Sequence, residues 1–528
     1  MQFSDLPDDL LCLVLERALS DGGDAYDLLE ENLSLLAVCQ RWRRLALPVA
    51  YGAVSVEIKA RGARVGSSPS ETTYMGVPIR SNLDLVVSAG CVNLVKSVCI
   101  EAKYSGSPSA AFNSVLGFMR AAAGEWSGVR LLEVALSPAA TAAEHDDNDD
   151  IQAACGAMVA MMPGVSELYF STGAFHPVPA VSEAYGCLAG LYSDRLEELG
   201  ASYPVAFPRD ASFKRLRRIR VGYAYEPGRR LPQINPDVLE TLELSIWPLF
   251  RVLSALGSDD GSREIVFGSL KELRLSCYDG GASDVEDGED SADAKAAWQL
   301  QFPRLETLCI NTTLGTCSLL EYSVLPPRVS SIRFRAAPAV LRDIARASLP
   351  AARDIEIVIP HGTGNDPSAI SAATNLLAGA RASRRVELDV WDYAVPVSPG
   401  AVSAKLTHLT IHGLASLGTL FSLIQRLPDL VYLELQKVYL DGYQAGLSVP
   451  GPDDGHPVEP LNTKIKYLAV WASDDEQAPE QFADVAKYLL LKIPTLSHLC
   501  PDRALRPCLK EFVDVHSGQY PHLKAVKI

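Results

Sequence analysis

No stretch of this sequence approaches the run of about eighteen apolar residues that a membrane-spanning helix needs, so no segment is expected to cross a bilayer. Positive charge is in short supply. Against 64 Asp and Glu stand 48 Lys and Arg, for a net charge of −16, which argues against a nucleic-acid face or an anionic membrane surface as the main partner. No basic residue precedes Arg17, and the first apolar run is short and broken by charge, so a secretory leader is not expected. The eleven cysteines are odd in number and contain no Cys-x-x-Cys pair; most have apolar neighbours, as small reduced core residues do. A cytoplasmic or nuclear protein fits these absences.

Signatures of catalysis are missing as well. There is no Gly-x-Ser-x-Gly elbow between strand and helix, no His-Glu-x-x-His, and no Cys/His cluster at metal spacing. Gly362-Thr363-Gly364 lacks the further glycine and the Lys-Ser/Thr of a phosphate cradle and reads as a turn. His408 and His412 flank Thr410 at strand spacing and share one face, but zinc would need further ligands from Glu387, Asp389 or Glu434 on other segments. The expectation is a non-enzymatic chain with no metal and no cofactor.

Two strings organise the N-terminus. In Leu6-Pro7-Asp8-Asp9-Leu10-Leu11, Ser4 or Asp5 offers a cap, Pro7 has φ preset for a first turn, and two aspartates face the positive helix end. Leu10, Leu11, Val14, Leu15 and Ala18 continue it at helical spacing. In the second string, Leu33, Leu36 and Ala37 form one stripe and Val38, Trp42 and Leu45 its neighbour, with Pro48 expected to close the helix. Leu-Pro with paired leucines, followed by Val-Cys-x-x-Trp-Arg-x-Leu, resembles an F-box over roughly the first tenth of the chain. The connector from Ser20 to Tyr26 is longer than that family usually has. The resemblance implies docking on a Skp-type adaptor, and through it on a cullin-RING ubiquitin ligase. By position, Leu6, Pro7, Leu10 and Leu11 would supply the adaptor-facing edge, and Val38, Cys39, Trp42 and Leu45 would pack the module and complete that surface.

From about residue 83 the chain becomes repetitive. Apolar triples recur with two residues between the first and second anchors and one between the second and third. Examples are Val95-Val98-Ile100, Leu216-Ile219-Val221, Leu270-Leu273-Leu275, Leu430-Leu433-Leu435 and, at the end, Leu523-Val526-Ile528. With weaker copies near Leu196, Ile355, Val386 and Leu496, about sixteen strings recur at a mean spacing of roughly 28 residues, the period of leucine-rich repeats. Helix-like segments lie between them, such as Ala111 to Ala123, Val252 to Leu256, Val340 to Ala347, Leu417 to Leu427 and Phe482 to Leu491. A short strand and a helix cannot bury their apolar faces alone, so stacked neighbours would make the core. The series resembles the repeat domain of F-box/leucine-rich-repeat proteins, with one departure. The Asn or Cys expected three residues after the third anchor is replaced by Trp247, Tyr278, Thr313, Leu414 and Val438. Repeats of unequal length are expected in consequence.

The expected architecture is therefore α/β: an F-box-like helical module over residues 1–50, a linker with a short strand and a loop over 51–82, and a leucine-rich-repeat-like solenoid with a parallel sheet over 83–528. Acidic, Gly- and Ser-bearing strings near 143–150 and 279–293 are expected to be disordered loops, and 450–460 a Pro/Gly-rich loop. If the second and third anchors point inward, the residues flanking them point out. That exposes Arg218, Arg220, Arg274 and Arg333 in the middle of the chain and His408, His412, Tyr432, Tyr467 and Trp471 late in it. The first set would receive acidic or phosphorylated segments, and the second has the aromatic content of binding hot spots. A C-terminal element covering the aromatic set is the competing expectation. Together with the resemblance, these features imply a substrate receptor of a Skp-cullin-F-box ubiquitin ligase that holds a protein target on its repeats; the alternative is an interaction scaffold with no ligase role.

Overall fold

The computed structural model describes residues 7–20, 39–59, 71–74, 77–104, 107–122, 124–138, 148–172, 178–202, 205–208, 211–222, 233–245, 264–277, 299–312, 323–324, 328–336, 351–359, 371, 375, 377–378, 380–394, 402–439, 460–462, 464–472, 479–501 and 503–528. The chain forms two compact units, Met1–Asp260 and Gly261–Ile528.

All the quoted triples but the last make strands, and for the same reason. In each, the second and third anchors alternate with polar residues at period two, so one face of the strand is apolar. The first anchor sits in the turn that leads into it. Leu270, Leu273 and Leu275 show the result, at 1% exposure or less, as do Leu430, Leu433 and Leu435. In the first unit the strands Ala53–Ile58, Ser97–Tyr104, Leu131–Pro138, Glu167–Ser171, Glu198–Ala201, Arg218–Gly222 and Thr241–Ser245 pair in parallel in chain order. In the second unit Glu272–Cys277, Thr307–Thr312, Ser331–Ala336, Asp354–Val358, Arg385–Ala394, His408–Ser416, Tyr432–Tyr439, Tyr467–Ala472 and His498–Pro501 do the same. Matching anchors fall side by side, as in Leu433 beside Leu468 and Leu435 beside Val470.

One backbone device recurs along each ladder, where one strand follows another. A single carbonyl accepts two successive N–H groups from the next segment: Lys96 O takes Arg130 and Leu131, Arg353 O takes Arg384 and Arg385, and Val431 O takes Lys466 and Tyr467. The backbone thus satisfies its own entry turns. Where Leu414 and Val438 replace the expected Asn or Cys, the register shifts locally and the two strands run on to Ser416 and Tyr439.

Helices supply the crossovers that parallel strands require. Pro108–Ala122, Asn148–Met161 and Pro179–Tyr192 do so in the first unit, and Leu417–Arg426 and Pro479–Lys492 in the second. Tyr185 ties its helix to the sheet: its ring stacks on Phe170 at 4.4 Å, and its hydroxyl donates to Ser171 O at 2.5 Å and accepts from Leu136 N at 2.7 Å. Elsewhere short parallel strands stand between the main ones, Ser212–Phe213 with Gln233–Ile234, and Glu264–Val266, Gln299–Gln301 and Ser323–Val324 together.

Several expectations need correction. The short strand expected between 51 and 82 is present as Ala53–Ile58, but it is the first strand of the parallel ladder, with Val54, Val56 and Ile58 buried, and Val77–Ser81 pairs antiparallel on its other side. Thr72 and Thr73, expected in a loop, belong to the strand Glu71–Tyr74. The acidic string expected to be disordered ends inside a helix, since Asn148–Met161 starts at its last three residues, where aspartates suit the positive helix end. Pro48 does not end its helix, which continues to Ala50; a proline near the last turn costs only one intrahelical bond. The final triple is not a strand: Leu523 is buried from a 3-10 helix, Pro521–Ala525, and only Lys527 reaches the sheet, bridging His498. The strings at 279–293, 450–459, 362–364, 252–256 and 340–347 lie outside the described residues.

Candidate functional site

The N-terminal surface is built on two helices, Asp8–Ser20 and Gln40–Ala50. Pro7 O accepts from Leu11 N at 3.0 Å to close the first turn of one. Extended Cys39 begins the other, its Sγ accepting from Trp42 N at 3.4 Å. Asp8 joins the two starts, receiving Arg41 Nε on Oδ1 at 2.8 Å and Arg44 Nη2 on Oδ2 at 3.0 Å. Between the helices Leu11 and Ala46 form a buried core, with half-buried Trp42 and Leu45 packed on it.

The eight residues expected to make one adaptor surface therefore divide. Leu11, Trp42 and Leu45 hold the hairpin together, and Leu11, fully buried, is unavailable to a partner. Pro7, Leu10 and Cys39 are exposed. Leu6 and Val38 lie outside the described residues. Two residues were missed. Leu13 and Val14 stand 59% and 43% exposed beside Leu10 at 50%, and positions i, i+3 and i+4 share one helix face. The three make an uncovered apolar stripe, and the spacing from Leu10 was the signal for it.

In each unit, taken by itself, the strand face opposite the anchors is a second candidate surface. Its arginines are engaged rather than free. Arg218 pairs with Glu198 at 3.0 Å, Arg220 with Glu243 at 2.8 Å, Arg274 with Glu272 at 2.6 Å and Arg333 with Glu356 at 2.5 Å. Three of these pairs link neighbouring strands, and the Arg274 pair lies along one strand. A phosphorylated segment would have to displace a carboxylate at each of them.

Late in the second unit the same face carries a row of rings. His408, Tyr432, Tyr467 and His498 are register partners on four successive strands. Tyr432 and Tyr467 stack at 4.3 Å with 2° between planes; His408 lies 5.7 Å from Tyr432, and His498 6.3 Å from Tyr467. The Tyr432 hydroxyl donates to Glu434 Oε2 at 2.5 Å, and burial together with that carboxylate raises its pKa. A hydrogen bond with the Cys500 thiol, then burial, pushes the Tyr467 pKa up to about 12. Burial, reinforced by Arg385, lowers that of His408.

The two terminal histidines are held alike. Thr407 Oγ1 donates to Arg384 O and Ser497 Oγ to Lys466 O, each at 2.9 Å. A hydroxyl has one proton, so towards His408 Nδ1 at 2.9 Å and His498 Nδ1 at 3.0 Å each can only accept. The neutral imidazoles therefore carry hydrogen on Nδ1 and keep Nε2 as an acceptor.

The expected aromatic group is thus partly right in membership. His408, Tyr432 and Tyr467 come together. Trp471 is half-buried four residues beyond Tyr467 and, among the described residues, stacks on no other ring; His412 sits beside Asp389 in the register, outside the stack. His498 was missed, although it precedes the anchor Leu499 as Tyr432 precedes Leu433. The C-terminal helix Arg506–His516 packs against Pro479–Lys492, and His522 Nε2 lies 3.1 Å from Leu490 O, so the described tail lies against a crossover helix while His498 stays exposed.

No group of three His, Cys, Asp or Glu that could hold a metal ion occurs among the described residues, and none of their helices is long and apolar enough to cross a membrane. No protein-family model and no curated protein matches the chain.

Proposed function

We propose that this chain is the non-catalytic substrate-recognition subunit of a Skp-cullin-F-box type ubiquitin ligase, acting in the cytoplasm or nucleus. In this reading the N-terminal hairpin is an F-box that binds a Skp-type adaptor and through it a cullin scaffold. The parallel-stranded remainder is a leucine-rich-repeat-like solenoid that holds the target protein. The observation that carries the reading is the stripe Leu10, Leu13 and Val14. It lies open on a helix whose adjoining face is closed by Leu11 against Ala46, within the string that resembles an F-box. An apolar row beside a closed core is surface suited to a partner. For the target, the row from His408 to His498 is preferred over the arginines, whose charges are already matched by Glu198, Glu243, Glu272 and Glu356.

The test is co-purification of the full chain with a recombinant Skp-type adaptor. Leu10→Ala with Leu13→Ala removes exposed side chains, so the fold should persist while adaptor affinity falls at least about tenfold, the effect of roughly 1.4 kcal/mol lost from the interface. Equal recovery with wild type and double variant would overturn the adaptor surface. Failure of the wild type to bind any Skp-type adaptor would leave the scaffold reading in its place.

A further inference from the structure

The crossover helices Asn148–Met161 and Pro179–Tyr192 of the first unit pack on one another and bring two of the free cysteines together. Cys155 is completely buried, and its Sγ lies 3.7 Å from Ala184 O. Ala184 is one helical turn before Cys187, so Cys187 lies on the same face of its helix, turned towards the helix that carries Cys155. Cys187 itself is only half-buried. Its helix is closely held: a Cβ on Gly186 would come within 1.7 Å of Ala206 O, so the adjoining segment lies directly against that turn. A fixed pair of thiols, one reachable by solvent and one sealed behind it, is the arrangement of an attacking and a resolving cysteine.

We propose that Cys155 and Cys187 are a redox modification site, closing to a reversible disulfide when the protein meets a hydroperoxide. The Cys187 thiolate attacks one peroxide oxygen; the O–O bond breaks, hydroxide leaves, and sulfur is oxidised to sulfenic acid. The Cys155 sulfur then attacks the Cys187 sulfur, the S–O bond breaks, and the Cys155 proton and the sulfenic hydroxyl leave as water. One peroxide is reduced for each disulfide formed. Chemistry supports this order of roles: the neighbouring Cys155 holds the Cys187 pKa below the usual thiol value, whereas Cys187 and burial raise that of Cys155. Reduced thiols are the resting state of cytosolic proteins, where disulfides are transient and signalling. The site is independent of the adaptor reading.

The full-length protein is treated with graded hydrogen peroxide, blocked with N-ethylmaleimide, digested and analysed by mass spectrometry. The expected result is a peptide linking Cys155 to Cys187 that appears before other cysteines oxidise and disappears on adding dithiothreitol. In Cys155→Ala, chosen because alanine fits a buried site without a new polar group, the link is lost and dimedone traps Cys187 as sulfenic acid; circular dichroism confirms that the variant is folded. In Cys187→Ser, Cys155 should remain reduced. The proposal is overturned if wild-type Cys187 proceeds to sulfinic acid with no linked peptide, if neither residue reacts before the other cysteines, or if Cys155 oxidises equally fast in Cys187→Ser.

Discussion

Tyr467 and His408 occupy the same row yet respond to pH from opposite ends. The Tyr467 pKa rises from 10.0 to about 12 on folding, so the neutral phenol is favoured in the native state. Its contribution to stability is complete below pH 10 and is lost as pH climbs from 10 towards 12, where the unfolded chain ionises first. Alkaline unfolding followed by phenolate absorbance should therefore show ionisation coupled to melting in that window, and Tyr467→Phe should remove part of it. For His408 the folded pKa is lowered from 6.5, so the unfolded state binds the proton more readily. Stability from this group is present above pH 6.5 and declines as pH falls below it. The decline should be small, because the residue is exposed and water screens it. Thermal melts at neutral and mildly acid pH, compared with those of His408→Gln, measure it; an unchanged pH slope in the variant would show that His408 contributes nothing.

At the scale of elements, buried asparagines act as splices. Asn462, 5% exposed, donates through Nδ2 to Ile424 O and Leu427 O, both at 3.1 Å, and accepts on Oδ1 from Lys464 N at 2.7 Å and Ile465 N at 3.2 Å. It joins the end of the helix Leu417–Arg426 to the turn entering the strand Tyr467–Ala472. Asn462→Ala removes these four hydrogen bonds, leaving Ile465 N and Ile424 O without this partner while Leu427 O keeps Leu430 N, and should cost about 2–4 kcal/mol, read as a lower denaturant midpoint. Hydrogen exchange should speed first in Leu417–Arg426. Asn82 does similar work at the first strand, accepting from Ser55 N at 3.0 Å and donating to Ala53 O at 3.1 Å. Neither residue stands where a repeat asparagine was sought. Each serves one junction, while carbonyls serve where one strand follows another along each ladder.

Over the molecule as a whole, charge is arranged so that the outer sheet face answers its own arginines. Within a chain of net charge −16, Arg218, Arg220, Arg274 and Arg333 are each matched by a carboxylate. Partners that co-purify through the aromatic row should stay bound at raised ionic strength and be lost from Tyr432→Ala/Tyr467→Ala. Partners held by the arginine positions would wash off with salt and ignore that change. Salt titration of the affinity-purified complex separates the two, and release by salt alone would move the target site to the arginines.

Features that depend on a few adjacent residues are legible in the amino-acid sequence. The spacing of Leu270, Leu273 and Leu275, or of Leu430, Leu433 and Leu435, announces a strand with one buried face, because alternation at period two is a local property. Repetition of that string makes a parallel ladder legible from the residues alone. Whether Leu10 or Leu11 faces outward depends on where Gln40–Ala50 lies, and both suit the same helical pattern equally well. Arg220 meets Glu243, His498 completes the row begun by His408, and Cys187 reaches Cys155 only through the register of strands and the packing of crossover helices. Those partners are tens of residues apart in the chain, and no local spacing encodes a contact whose geometry is set by how strands pair and helices pack.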